Sequence, residues 1–276
     1  MKCIFLDIDG TIFDHDIGIQ ASTIQAIQEA RKKGHKVCIA TGRAKPEVDD
    51  SILQIGFDGF LYACGALVET PNKTLAKTHM EREDIYQILT LLQTNHIGFN
   101  LEGLYTSFLD ETAYSFFHTI FQKEQEMNSE LVRQYMASVK MRPFSSMKAE
   151  DYEQIVKVST FAHDANAYTN LRQHLPPHLK FIQHHAIEAS LINGEIMYDT
   201  MSKAVGMKHL LDNFHIPREH SIASGDSMND KDMLQFAHIG IAMGNACPAL
   251  KDVCDDETTS SKHDGIYQAF KKHNLI

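Results

Sequence analysis

Apolar and polar positions alternate along the first 80 residues in the rhythm of strand, helix, strand. Lys2 to Ile8 is a short apolar run closing on carboxylates, the pattern of a strand buried on both faces of a parallel sheet. Ser22-Thr23-Ile24-Gln25 has the form of a capping box, and Ile24, Ile27 and Ala30 mark one face of a helix closed by Gly34. Lys36 to Ala40 predicts a second buried strand, with Thr41-Gly42-Arg43 directly after it. Pro46 stands where a further helix would begin, running to about Ile55. Phe60 to Ala63 predicts a third strand, followed by Cys64-Gly65-Ala66 and a hairpin-like pair around Pro71-Asn72. This β-α-β-α-β order points to a right-handed, mostly parallel sheet with helices on both faces.

From about Glu81 the texture changes. Ile85, Ile88, Leu89 and Leu92 recur at helical spacing up to Asn95. Short alternating segments follow at 97–101, 104–108, 155–162, 179–184 and 187–192, mixed with helices. After Gly194 the first rhythm returns, with a helix near Ser202 to Phe214 and strands at His220 to Ala223 and Ile239 to Met243. The reading is an α/β protein. Its Rossmann-like, doubly wound parallel-sheet core takes residues 1–80 and 195–276, and an α+β domain is inserted at 81–194.

The 276 residues exceed the size of a typical single core, which agrees with two domains. A net charge of −10 argues against nucleic acid or an anionic membrane surface as partner, since both require a positive face. No apolar run approaches the roughly 18 residues of a membrane span. Five cysteines without a CxxC pair, and a first strand that meets Asp7 too early for a signal peptide, predict reduced thiols in a cytoplasmic protein.

The chemistry gathers at predicted strand ends. Asp7 and Asp9 in Asp7-Ile8-Asp9-Gly10-Thr11 lie two apart and share one side of the strand's carboxyl end, where ligands bind in open α/β sheets. Gly10 allows a sharp turn and a close approach of backbone to an anion. Gly225-Asp226-Ser227-Met228-Asn229-Asp230 follows another apolar strand. Asp226 and Asp230 would add two carboxylates to the same edge. Four carboxylates without nitrogen or sulfur ligands favour a hard cation such as Mg²⁺. The Thr41 hydroxyl and the amides after it could hold phosphate oxygens, and Lys203 would offset the negative charge.

In order and spacing, these four pieces resemble the haloacid dehalogenase (HAD) superfamily of phosphohydrolases, and the long insert is similar to the Cof-type, class IIB subgroup, which carries an α/β cap there. The resemblance implies Asp7 as nucleophile and Asp9 as general acid/base, with Thr41, Gly42, Lys203 and Asn229 around the phosphate. It implies Mg²⁺ held by Asp7, the Asp9 carbonyl and Asp226, with Asp230 supporting it. Gly10, Arg43, Cys64 and Gly65 would stand around the site. Ala242-Met243-Gly244-Asn245-Ala246 also resembles the family's stretch after the acidic motif. The chain departs from the family at Cys64-Gly65, where Asn-Gly is usual, at Lys203-Ala204, where Lys-Gly is usual, and in lacking the usual Asn near Thr258 to Gly265.

The implied reaction is hydrolysis of a phosphate monoester through an aspartyl-phosphate, with Asp9 protonating the leaving oxygen and then deprotonating water. For the first role the Asp9 pKa is expected to be raised by its acidic neighbours and by partial burial. Nine Lys/Arg against fifteen Asp/Glu between residues 80 and 195 disfavour a polyanion, so a small phosphorylated metabolite, a sugar phosphate above all, is expected. The protein would be a monomer or a homodimer. A phosphotransferase or mutase on the same scaffold, and a non-catalytic metabolite sensor, remain as alternatives. Asp14-His15-Asp16 reads as a polar flap, His184-His185 as a poor chelate, and Arg133, Arg142 and Arg172 as surface residues.

Overall fold

The computed structural model describes residues 1–115, 141–183 and 192–276. In chain order the strands are β1 (Cys3–Leu6), β2 (Lys36–Ala40), β3 (Gly59–Tyr62), β4 (Leu67–Thr70), β5 (Lys73–Lys77), β6 (Gly98–Gly103), β7 (Ser107–Leu109), β8 (Met141–Pro143), β9 (Ile155–Ala162), β10 (Leu179–Gln183), β11 (Ile192–Tyr198), β12 (Ser221–Gly225), β13 (Ile239–Ala242) and β14 (Asp256–Glu257). The longer helices are α1 (Ala21–Lys32), α2 (Arg82–Thr94), α3 (Ala165–His174), α4 (Lys203–Phe214), α5 (Lys231–Phe236) and α6 (Gly265–Lys272).

Two compact units result. The first comprises Met1–Arg43, Asp50–Lys77 and Ser202–Ile276. Its sheet runs β14-β13-β12-β1-β2-β3-β4-β5, parallel from β14 to β3 and closed by the antiparallel hairpin β4–β5. Every residue of β1 and β12 is buried, as a central position demands. Phe5 packs with Met207 and Leu210 of α4 and with Met233 and Leu234 of α5. Ile4 and Leu6 alternate to the opposite face, and α1 packs against α6. The chain leaves β1 for β2 on one side and returns to β12 on the other. The carboxyl ends of β1 and β12 therefore flank the switch point of the strand order, where α/β sheets bind ligands. This is the expected doubly wound α/β fold.

The second unit comprises Ala44–Asp49 and Thr78–Met201. Its sheet has the order β10-β11-β9-β6-β7-β8, antiparallel except for β7 with β8. Ile85, Ile88 and Leu92 of α2 and Leu171 of α3 form an apolar cluster with Leu101, Phe108, Val158 and Ile196 of that sheet.

Some local expectations give way to tertiary contacts. The Ser22 hydroxyl does not cap α1. Gln20 precedes the helix in extended conformation without a side-chain cap, and Ser22 Oγ bonds Asp264 Oδ1 at 2.5 Å, beside α6. The helix expected from Pro46 to Ile55 is two pieces, a 3₁₀ turn at Lys45–Glu47 and a single α-turn at Asp50–Leu53, separated by extended Val48. Segment 187–192 lies outside the described residues up to its last position, where β11 begins. No helix among the described residues is long and apolar enough to cross a membrane, and none of the five cysteines forms a disulfide.

Candidate active site

The parallel pairing of β1 with β12 puts Leu6 opposite Ser224, so Asp7 and the Gly225-Asp226 turn leave the sheet side by side. Carboxylate oxygens of Asp7, Asp226 and Asp230 all lie within 4.8 Å of one another. Gly225 makes this possible, because a Cβ there would stand 2.4 Å from Asp230 Cγ. Ser202 caps α4 by accepting from the Val205 amide at 3.2 Å, which sets Lys203 at the first helical position. From there Lys203 Nζ donates to Asp7 Oδ1 at 2.7 Å and to Asp230 Oδ1 at 2.5 Å. Asp230 Oδ2 accepts from the amides of Asp226 at 3.0 Å and Ser227 at 3.1 Å, so both its oxygens serve the chain itself.

Electrostatics follow from three carboxylates around one ammonium. Burial and the neighbouring Asp230 raise the Asp7 carboxyl well above its ordinary range, against the pull of Lys203. The same two causes push Asp226 up to about 7. Burial works against the charge of Lys203, but Asp230 and Asp7 more than offset it and hold the ammonium above its ordinary pKa. Surplus negative charge among oxygen donors is the environment that suits a hard divalent cation.

Asp9 behaves differently from expectation. Its carboxylate turns to Arg43, which donates from Nε to Oδ2 at 2.8 Å and from an amino nitrogen to Oδ1 at 2.5 Å. His15 Nε2 stands 3.5 Å from the same carboxylate. Desolvation works to raise its pKa, but the Arg43 charge, aided by His15, holds the Asp9 carboxyl well below the usual range. The expected upward shift is thus corrected, because a forked guanidinium outweighs the cost of burial. The Asp9 side chain is also not among the clustered carboxylates.

The loop after β2 is held from behind. The Arg43 amide donates to Thr41 Oγ1 at 3.0 Å, the Cys64 amide to the Thr41 carbonyl at 3.1 Å and the Ala63 amide to the Arg43 carbonyl at 2.8 Å. Ala63, Cys64 and Gly65 all have positive φ, at 46°, 52° and 95°. A Cβ on Gly42 would meet Asn229 Nδ2 at 3.5 Å and Cys64 Sγ at 3.7 Å, so Asn229 and Cys64 both border this loop. Gly65 packs so closely on the Ser202 carbonyl that a Cβ would lie 2.6 Å from it. The turn 63–65 therefore braces both the Thr41 loop and the start of α4.

Asn245, quoted from the sequence without a role, bonds the Gly10 carbonyl at 2.9 Å and Asp226 Oδ2 at 3.3 Å, tying the first acidic loop to the second. Only its place after β13 could have suggested this. The flap residues Asp14 and Asp16 pair with Lys262. Arg142 lies over the Phe108 ring and Arg172 over the Phe181 ring. Arg133 and His184-His185 lie outside the described residues.

A sequence profile for haloacid dehalogenase-like hydrolases matches residues 4–270, and the chain belongs to that family. The 5-amino-6-(5-phospho-D-ribitylamino)uracil phosphatase YitU of Bacillus subtilis is 26% identical over 98% of this chain and 96% of its own length. Among solved structures, the phosphatase BT1666 from Bacteroides thetaiotaomicron superposes with a TM-score of 0.80 at 23% identity, over 100% of this chain and 96% of the other. The HAD subclass IIB sugar phosphatase BT4131 gives 0.79 at 22% identity, over 100% of both chains. At those identities the structural likeness speaks for the fold.

Proposed function

From that membership we propose that the chain is a Mg²⁺-dependent phosphatase that hydrolyses a small phosphorylated metabolite, a sugar phosphate above all, by way of an aspartyl-phosphate on Asp7. The observation that carries this reading is the buried cluster in which Lys203 bridges Asp7 and Asp230 with Asp226 beside them. An uncompensated set of acids at a strand-order switch has no structural need that a plain salt bridge would not meet.

Asp7 attacks phosphorus, and the bond to the leaving oxygen breaks as that oxygen takes a proton from Asp9. Water then attacks the aspartyl-phosphate while Asp9 accepts its proton, releasing inorganic phosphate and free Asp7. The pairing of Asp9 with Arg43, which holds its carboxyl low, suits the second step. The first step requires Asp9 to leave Arg43 and take up a proton. Lys203 fixes the attacking oxygen and offsets charge, and Thr41, Gly42 and Asn229 border the place for the phosphoryl oxygens. Asp7 and Asp226, with the Asp9 carbonyl, would hold Mg²⁺, and Asp230 would orient Lys203 and the 226–227 amides. The cation, when bound, supplies Lewis-acid neutralisation of phosphoryl charge. The second unit would select the leaving group.

The test is phosphate release from sugar phosphates, nucleotides and an aryl phosphate, with and without Mg²⁺, by wild type and Asp7→Asn side by side. Mg²⁺-dependent release by wild type and its loss in the variant support the reading. Equal turnover by Asp7→Asn overturns the nucleophile, and exclusive transfer to an added sugar acceptor makes the protein a phosphotransferase.

A further inference from the structure

The turn after β13 is joined to the second acidic loop through its backbone. The Met243 amide donates to the Gly225 carbonyl at 2.9 Å and the Cys247 amide to the Asp226 carbonyl at 3.2 Å. Between them Asn245 is exposed to solvent, yet both its N–H bonds and its side-chain carbonyl are engaged. Nδ2 donates to the Gly10 carbonyl at 2.9 Å and to Asp226 Oδ2 at 3.3 Å, while Oδ1 accepts from the Ser261 amide at 3.0 Å. Because Ser261 offers an N–H and Gly10 a carbonyl, the side-chain amide is satisfied only this way round. Asp226 Oδ2 is thereby held, and no described residue donates to its other oxygen, Oδ1.

Ser261 carries these contacts on to the flap at 13–18. Its hydroxyl donates to Asp14 Oδ2 at 3.0 Å, and Lys262 beside it pairs with Asp14 and Asp16. Asp14 and Gly18 exchange amide-to-carbonyl bonds at 3.0 and 2.7 Å, which closes the flap on itself. Its near end returns to the first acidic loop, where the Gly10 amide donates to the Phe13 carbonyl at 2.8 Å. The flap brings His15 to 3.5 Å from the Asp9 carboxylate and places the Phe13 ring centroid 5.8 Å from Arg43 Cζ. Its position therefore sets the surroundings of Asp9. All of these residues belong to the first unit. The clasp itself is made by Ser261 and Lys262, inside the stretch where the chain lacks the family's usual Asn.

We propose that Asn245 is a positioning residue for the cation and that, through Ser261, it couples the cation site to the flap. The proposal rests on the reading of Asp7, Asp226 and the Asp9 carbonyl as Mg²⁺ ligands, and deepens it. Asn245 holds Asp226 by one oxygen and leaves the other to the ion, as hydrogen-bonded partners of metal ligands do. An ion that restrains Asp226 restrains Asn245, and the Ser261 bonds pass that restraint to Asp14. The coupling is reciprocal, so a loosened clasp also weakens the ion. A bound cation thus orders the flap, and with it the side chains beside Asp9, before substrate arrives.

The test reads binding and not turnover. Mn²⁺, which suits the same oxygen ligands as Mg²⁺, is titrated into metal-free protein, and the free ion is followed by electron paramagnetic resonance. Asn245→Ala is expected to raise the Mn²⁺ dissociation constant at least about tenfold, and an unchanged constant overturns the positioning role. Wild type that binds no Mn²⁺ defeats the cation reading itself, and this proposal with it. Asn245 is exposed, so metal-free Asn245→Ala should keep the urea midpoint of wild type; a variant unfolded without metal makes Asn245 a structural residue and overturns its role. The coupling is read by hydrogen–deuterium exchange of the flap peptide in wild type and Ser261→Ala, each without Mg²⁺ and at saturating Mg²⁺. Ser261→Ala removes the hydroxyl on Asp14 and keeps the backbone amide on Asn245. Mg²⁺ is expected to slow flap exchange at least about fivefold in wild type and less than about twofold in Ser261→Ala. Equal slowing in both proteins assigns the restraint to the Asp9–Gly10 backbone and overturns the coupling through Ser261, as does an absence of slowing in wild type.

Discussion

Lys203 donates to Asp7 Oδ1 at 2.7 Å across 196 residues of sequence, and the same ammonium reaches Asp230. All three side chains are buried. A buried ammonium shared by two carboxylates is favourable only while the set is complete, since removing one partner leaves charge without compensation. Lys203→Met in metal-free protein is therefore expected to cost about 3–5 kcal/mol in urea unfolding. Mg²⁺ should recover part of that loss by taking over the carboxylates. A variant as stable as wild type without Mg²⁺ contradicts this account.

The elevated Asp226 carboxyl gives a pH dependence whose sign is fixed. Burial, then the charge of Asp230, hold it at about 7 in the folded chain, while an unfolded aspartate titrates near about 4. Between those values the native state binds the extra proton, so this group's stabilising contribution is full below about pH 4 and lost as pH rises through 7. Metal-free wild type should lose on the order of 2–4 kcal/mol relative to Asp226→Asn between pH 4 and pH 8. Urea midpoints at several pH values measure this, and a constant difference between the two proteins refutes it.

Gly10 has φ +72°, and a Cβ there would lie 2.1 Å from Asp226 Oδ2. Gly10→Ala thus strains the turn and displaces Asp226 together. The apparent Mg²⁺ constant for activity is expected to rise at least about tenfold, with the circular dichroism spectrum unchanged. Unaltered Mg²⁺ dependence would show that Asp226 is no ligand.

The fork of Arg43 on Asp9 predicts a titration. Arg43→Gln removes the charge that holds Asp9 low, so the Asp9 carboxyl should move up toward the ordinary range near about 4. Carboxyl ¹³C shifts of metal-free protein read this directly. An unmoved resonance would assign the depression to other groups.

Much of the first unit was readable because its signals are local. A buried strand ending in Asp7-Ile8-Asp9-Gly10 carries its own period and its own turn, and the Gly225-Asp226 pair repeats that form. What escaped depends on contacts across the chain. Arg43 sits 34 residues from Asp9, and nothing in Thr41-Gly42-Arg43 shows that its fork would choose that carboxylate. Asp230 reads as one more acid, but its Oδ2 closes its own loop, which only the 3₁₀ turn at Met228–Asp230 reveals. Ser22 loses its expected cap to Asp264, 242 residues away. The Glu102–Lys157–Glu195 network joins three strands whose pairing no local pattern specifies.

The central claim is covalent chemistry at Asp7. Enzyme mixed with excess aryl phosphate and Mg²⁺, quenched in acid within the first turnovers and digested for mass spectrometry, should carry a phosphoryl group at Asp7 on the peptide that contains it, and that group should decay as substrate is exhausted. The same peptide from Asp7→Asn should stay unmodified. Sustained phosphate release with no adduct at Asp7, or an adduct on another residue, would contradict the account.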